Sequence, residues 1–248
     1  MAKKDGGGRK RRQRRQQVQY EELDKYPVLP PHAFARIVRD TRTLNIIYQV
    51  IEPPLTKQEE ATRQEIMDIF IQSLTADIEE IDANPEMYLR AAMDQIIRSY
   101  RMKATKKSRS KIFYYLKRDM IGFGRMDVLM NDANVEDVSL DGTAIPIFAY
   151  HRKFESVETT VSWPNDSELE SYVIKLAQRC GKHISVAEPL LDATLMDGSR
   201  IVMKLGREVS TRGSTFCIRR FREDPFSPCD LIAFRTMTSL MVAYLWVA

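Results

Sequence analysis

The arginines of the last third of the chain are the residues best placed to do chemistry. Asp197-Gly198-Ser199-Arg200-Ile201 sets an arginine directly after a tight turn, where a β-prone run begins. Phe216-Cys217-Ile218-Arg219-Arg220-Phe221 sets two more in a second run, with Arg207 and Arg212 in between. Strand alternation predicts Phe216, Ile218 and Arg220 on one face, and Cys217, Arg219 and Phe221 on the other. Guanidinium forks match phosphate geometry, so such a cluster can hold an anion. A cluster of strand arginines can equally be a solvated face, and the residues alone leave both readings open.

Other chemistry is thin. A phosphate-cradling loop needs G-x-x-x-x-G-K-[ST], because close backbone amides and one lysine must surround the anion. Gly181-Lys182 is followed by His183, and Leu176 stands where the first glycine belongs, so that loop is not formed there. Gly122-Phe123-Gly124 has Asp127 in place of a third glycine and reads as a helix stop rather than a dinucleotide loop. His32, His151 and His183 lack metal-ligand spacing, no Gly-flanked serine elbow occurs, and no metal site is expected. Cys180, Cys217 and Cys229 are odd in number and widely spaced, which fits free thiols in a reducing compartment.

These arginines need a scaffold, and composition allows one. The apolar fraction of 44% and charged fraction of 29% suit a globular chain of 248 residues. Residues 1–15 carry eight Lys or Arg against Asp5, so the formal net charge of +4 belongs to this tail, and the remainder is acidic. Residues 1–19, glycine-bearing and without an apolar face, are expected to be a disordered basic tail. Such a tail could grip nucleic acid or an anionic membrane through charge alone. No aromatic residue interleaves the charges before Tyr20, which speaks against base stacking and hence against nucleic acid. No apolar run follows it as a secretory signal would require, and Leu240–Ala248 is too short to span a bilayer.

Prolines 27, 30, 31, 53 and 54 limit helix formation early on, with a short strand expected in Leu44–Ile51. Thr56-Lys57-Gln58-Glu59 reads as a capping box, followed at helical spacing by Ile66, Ile69, Phe70, Leu74, Ile78 and Ile81. Asn84-Pro85 opens a second helix, and a third is predicted over Ser110–Ile121. The pattern then turns to strands: Val135–Leu140 and Ile145–Tyr150 around Asp141-Gly142, then Val157–Val161. A helix capped by Asp166 and closed by Gly181 precedes the strands Ile201–Leu205 and Thr215–Phe221. The expected class is α+β: an N-terminal helical bundle within 20–124, then an antiparallel sheet-plus-helix domain over 125–225.

Several runs carry a resemblance. Asn134-Val135-Glu136-Asp137-Val138-Ser139-Leu140-Asp141-Gly142 with Ile145-Pro146-Ile147 resembles the signature opening the N-terminal domain of type II/IV secretion-system ATPases. Ile184-Ser185, Pro189–Ile201 and Gly213–Phe221 are similar to later segments of that family. Ile51–Leu55 and Lys111–Leu116 resemble its archaeal branch, which drives archaella, pili and secretion. The resemblance runs over roughly residues 45–248 and leaves the tail out.

It implies the N-terminal region of a hexameric ATPase, cytoplasmic and peripheral to the inner face of the membrane. Its partners would be its own motor domain, neighbouring subunits and a polytopic membrane platform protein, with ATP and Mg as cofactors of the full-length parent. It also implies that Arg200 and Arg219 reach the nucleotide phosphates, with Arg220 the adjacent candidate. Residues 226–248 resemble the linker and first helix of the RecA-like motor, whose remainder is absent, so a truncated gene, a fragment or an isolated domain is expected, without hydrolysis by itself. The rival expectation is a free-standing adaptor that binds through its basic tail.

Overall fold

The computed structural model describes residues 19–72, 84–221 and 226–247. The basic start, the Leu74, Ile78 and Ile81 positions and part of the expected linker lie outside the described residues. The chain is α+β, with seven α-helices among the described residues and one sheet of nine strands.

Residues 20–51 build three strands, where the sequence predicts one. β1 (Tyr20–Leu29), β2 (Ala33–Asp40) and β3 (Ile46–Ile51) form an antiparallel meander. Ala33, Ala35 and Ile37 alternate into the core with no exposed surface, as one buried sheet face requires. Proline does not prevent this. Pro27 lies in the outermost strand, where a missing N–H costs no ladder, and Pro30-Pro31 lies at the hairpin tip. The meander joins the rest of the sheet, so residues 20–40, placed by the sequence in a helical part, supply strands instead, while the strand expected in Leu44–Ile51 is β3.

α1 (Lys57–Gln72) starts in the expected capping box: Glu59 N–H donates to Thr56 Oγ1 at 3.2 Å, and Thr56 N–H to Glu59 Oε2 at 2.9 Å. α2 (Pro85–Ser99) is capped by Asn84, whose Oδ1 accepts from Met87 N–H at 3.0 Å. α3 (Lys106–Met120) begins before the expected Ser110, because Thr105 Oγ1 caps Ser108 N–H at 3.2 Å. The three helices close on a core of their own that includes Ile66, Phe70, Leu89, Ile97, Ile112 and Leu116.

A 3-10 turn at Gly124–Met126 leads to the short α4 (Asp127–Asn131). Then follow β4 (Val135–Leu140), β5 (Pro146–His151), β6 (Glu155–Ser162), α5 (Asp166–Arg179), β7 (Leu190–Thr194), β8 (Arg200–Lys204) and β9 (Thr215–Arg219). The order across the sheet is β1-β2-β3-β6-β5-β4-β9-β8-β7. Every neighbouring pair is antiparallel except β3 with β6, which is parallel through Ile47↔Glu158 and Tyr48↔Thr159. α5 is capped by Asn165 rather than Asp166: Asn165 Oδ1 accepts from Glu168 N–H at 2.9 Å. Asp166 instead accepts from Arg207 at 2.7 Å and from Thr143.

Residues of α4 and α5 (Leu129, Met130, Leu169, Val173, Leu176) cover one face of the sheet. The opposite face of β4, β5, β7, β8 and β9 stays open, with Phe148, Tyr150, Leu190, Val202 and Cys217 exposed. The β4–β5 connection depends on Gly142 at φ +144°, where a Cβ would stand 2.4 Å from Arg212 O. α6 (Pro228–Ala233) has a capping box from Ser227 and Asp230, and α7 (Ser239–Val247) buries none of its residues.

Candidate functional site

β8 and β9 pair so that Arg200 stands directly opposite Arg219, both on the open face. β4 continues the row with Asp137 opposite Arg219, and β5 with Tyr150 opposite Asp137. The next row runs Asp192, Val202, Cys217, Ser139, Phe148. The register follows from alternation: Ile201, Met203, Phe216 and Ile218 go into the core, which forces their neighbours outward.

Each arginine is restrained by a carboxylate. Arg200 makes a fork to Asp192, Nε to Oδ1 at 3.1 Å and Nη2 to Oδ2 at 2.8 Å. Arg219 Nε donates to Asp137 Oδ1 at 3.2 Å. The hydrogen bonds from Arg200 hold the Asp192 carboxyl below its ordinary range, and the same contact raises the Arg200 guanidinium. The Arg200 and Arg219 side chains remain 71% and 81% exposed. Ion pairs this exposed contribute little, so an incoming anion displaces them at small cost.

Arg220 takes the inward direction that alternation predicts. It is half-buried and donates to the backbone carbonyls of Val135, at 2.7 Å, and of Asp132. Burial lowers its proton affinity. Its role here is to close the start of β4 onto the end of β9. Arg219 and Arg220 nevertheless both line a cleft of about 720 Å³, together with Arg152 and the carboxylates of Glu136, Asp137 and Asp197. Arg152 is held by Glu136 at 2.9 Å. Arg200 does not line this cleft and reaches it only through its ladder partner Arg219. The arrangement can neutralise an oxyanion. Its lining residues include no serine, thiolate or imidazole, and its carboxylates Glu136 and Asp137 are engaged by Arg152 and Arg219. An accompanying metal would find no cluster of three or more ligating side chains among the described residues.

Behind this face lies a buried polar network that sequence reading missed. Asp132 Oδ2 accepts from Tyr26 Oη at 2.6 Å and from Tyr48 Oη at 2.7 Å, and its Oδ1 accepts from Asn134 N–H at 2.9 Å. Lys153 N–H donates to His151 Nδ1 at 3.0 Å. The neutral ring therefore carries its proton on Nε2, 2.9 Å from Tyr26 Oη. Asp132 and His151 are each only 2% exposed. Burial pushes the Tyr26 and Tyr48 phenols up, aided by Asp132, and pushes the His151 imidazole down. The network fastens β1 and β3 to β5 and the α4–β4 turn. Its members are scattered from Tyr26 to His151, so no local spacing announces it.

No protein-family model matches the chain. It is similar to an uncharacterized protein of Methanocaldococcus jannaschii, 39% identical over 164 residues, covering 66% of this chain and 65% of that one. A second uncharacterized protein of the same organism is 36% identical over 147 residues, covering 59% of this chain and 26% of the relative. A third is 34% identical over 137 residues, covering 55% and 18%. The chain thus spans less than two thirds of each of these relatives. Among solved structures, the VirB11 ATPase of the Brucella suis type IV secretion system, in complex with sulphate, is matched at a TM-score of 0.38 and 17% identity, over 46% of this chain and 34% of that one.

Proposed function

We propose that this chain is the nucleotide-contacting N-terminal region of an ATPase that powers secretion or filament assembly. The observation that carries the reading is the facing pair Arg200 and Arg219 on an open sheet face, each restrained by a carboxylate at least partly exposed. The ordered motifs around them support it: the Val135–Gly142 run supplies Asp137 opposite Arg219, and the Pro189–Ile201 run supplies Asp192 and Arg200.

In this reading a motor region, of this chain's parent or of a neighbouring subunit, presents ATP with its Mg to the open face. Phosphoryl transfer is mainly positioning and charge stabilisation, and an arginine supplied across a cleft is worth about 10³–10⁵ in rate. Arg200 and Arg219 would exchange their carboxylates for phosphate oxygens as the cleft closes. A ring of six copies, a cytoplasmic place beside the membrane and a membrane platform partner belong to the same proposal. No helix among the described residues is long and apolar enough to cross a membrane.

Two measurements test it. Reading the gene beyond the codon for Ala248 should reveal G-x-x-x-x-G-K-[ST] in frame, and a stop codon in its place would reject the reading. In the longer protein, Arg200→Ala and Arg219→Ala should each cut ATP turnover at least about tenfold with the fold intact. Unchanged turnover would remove their role.

A further inference from the structure

A second cavity, of about 710 Å³, adjoins the first at Phe123 and Asn131 and lies between the β1–β2 hairpin tip, α2, α3 and the start of α4. Its size is that of ordinary small-molecule sites. Its floor is apolar, with Met93 and Phe113 only 4% and 6% exposed. Its rim is basic. Lys117 is paired with Glu86, and Arg109 touches Asp94 only at 4.0 Å. Arg90 and Lys106 have no carboxylate partner among the described residues. Arg90 sits over the Phe113 ring, its guanidinium carbon 4.2 Å from the centroid, a contact that uses the cation's face and engages none of its N–H donors in an ion pair.

Two local conflicts point to a ligand. The first turn of α3 carries Lys106, Lys107 and Arg109 and no acid, against the preference of a helix dipole. Sequences tend to break a local rule where function requires it. At the inner end, Asp127 is only 7% exposed. Its Oδ1 accepts from Phe123 N–H at 2.8 Å and from Asn131 Nδ2 at 3.3 Å, while Oδ2 has no hydrogen bond among the described residues. A buried oxygen left without a donor costs about 1–3 kcal/mol, so a donor is expected there. Gly122 is what lets this carboxylate in, since a Cβ there would stand 2.2 Å from Asp127 Oδ1.

We propose that this cavity binds a nucleotide. The phosphate meets Arg90 and Lys106 at the rim, the base enters the cavity beneath them, and a base N–H donates to Asp127 Oδ2. The site adjoins the Arg219 cleft but shares none of its arginines and needs no motor region, so it stands or falls apart from the function proposed above.

The test uses the full chain and equilibrium binding of AMP and GMP, with inorganic phosphate and phosphatidylglycerol vesicles alongside. Saturable binding of a nucleotide, at least about tenfold weaker in Arg90→Glu/Lys106→Glu, is the expected result. Both reversed positions are exposed; Lys106→Glu suits the helix dipole, while Arg90→Glu gives up the Phe113 contact, so the double variant should melt somewhat lower than the parent but still cooperatively. Asp127→Asn should weaken the nucleotide while leaving weak inorganic phosphate binding unaltered. The proposal is overturned if neither nucleotide saturates, if the charge reversal leaves affinity unchanged, or if only vesicles bind.

Discussion

Arg200 and Arg219 face each other across the β8–β9 ladder, and the carboxylates that restrain them, Asp192 and Asp137, come from the strands on either side, β7 and β4. Two like charges opposite one another would destabilise a bare ladder. The flanking acids neutralise that repulsion while leaving both guanidiniums on the surface. Asp192→Asn and Asp137→Asn should therefore lower the melting temperature slightly at low ionic strength. The difference should fade near 1 M salt, where screening acts within about 3 Å. Melts at two salt concentrations check this, and a salt-independent loss would mean that the acids act through packing.

The buried network should be far more sensitive than this exposed pair. Tyr48 has no exposed surface, and its hydroxyl donates to Asp132. Tyr48→Phe leaves that carboxylate with one donor fewer and should cost about 1–2 kcal/mol in urea unfolding. A change below the error of the measurement would show that the hydroxyl is replaceable.

His151 makes the network sensitive to acid. Burial holds its folded-state proton affinity below the ordinary value of 6.5, with Asp132 and Asp24 opposing and Lys153 assisting. As pH falls through about 6.5 the unfolded chain takes up the proton first, so stability declines, and above that pH the contribution is constant. Protonation would also break the Lys153 N–H contact to Nδ1. His32 is lowered by burial too and adds to the same trend. Urea unfolding from about pH 7.5 to 5 should show a falling stability whose slope is reduced in His151→Gln. An unreduced slope would transfer the effect elsewhere.

Gly142→Ala should cost about 1–3 kcal/mol, because a Cβ would meet Arg212 O at 2.4 Å at a backbone angle that alanine avoids. Circular dichroism and chemical denaturation read it directly. The β8–β9 loop, which carries Arg212, should lose hydrogen-exchange protection at the same time.

Asn165→Ala should cost about 1 kcal/mol through the lost cap of α5. Asp166→Ala should leave the cap in place and instead release Arg207 and Thr143. A larger helical effect from Asp166 would reverse this assignment.

The helices were legible because their signals are local: Thr56 with Glu59, and Asn84 before Pro85, sit within four residues of what they cap. The same holds for the β4–β5 turn and for the inward and outward alternation of Ile218, Arg219 and Arg220. β1 was not legible, since prolines read as breakers unless the strand is known to be an edge, and β2, which holds no proline, alternates cleanly only over the short run Ala33–Ile37. The Asp132 network and the Arg90 cavity join residues far apart in the chain, and no window along the sequence contains them. Asn165 and Asp166 are both good caps, and only backbone geometry decides between neighbours.

The parallel contact of β3 with β6 also has a mechanical consequence. It consists of two paired positions, extended by Val50 N–H donating to Thr160 Oγ1 at 3.1 Å, between two long antiparallel ladders. Under a pulling load such a sheet should tear along this line first, the β1–β3 meander peeling away as a unit. Tyr26 and Tyr48 on one side and Asp132 and His151 on the other act as rivets across that line. The load the sheet can bear is thus set by a few buried hydroxyls rather than by the length of its strands.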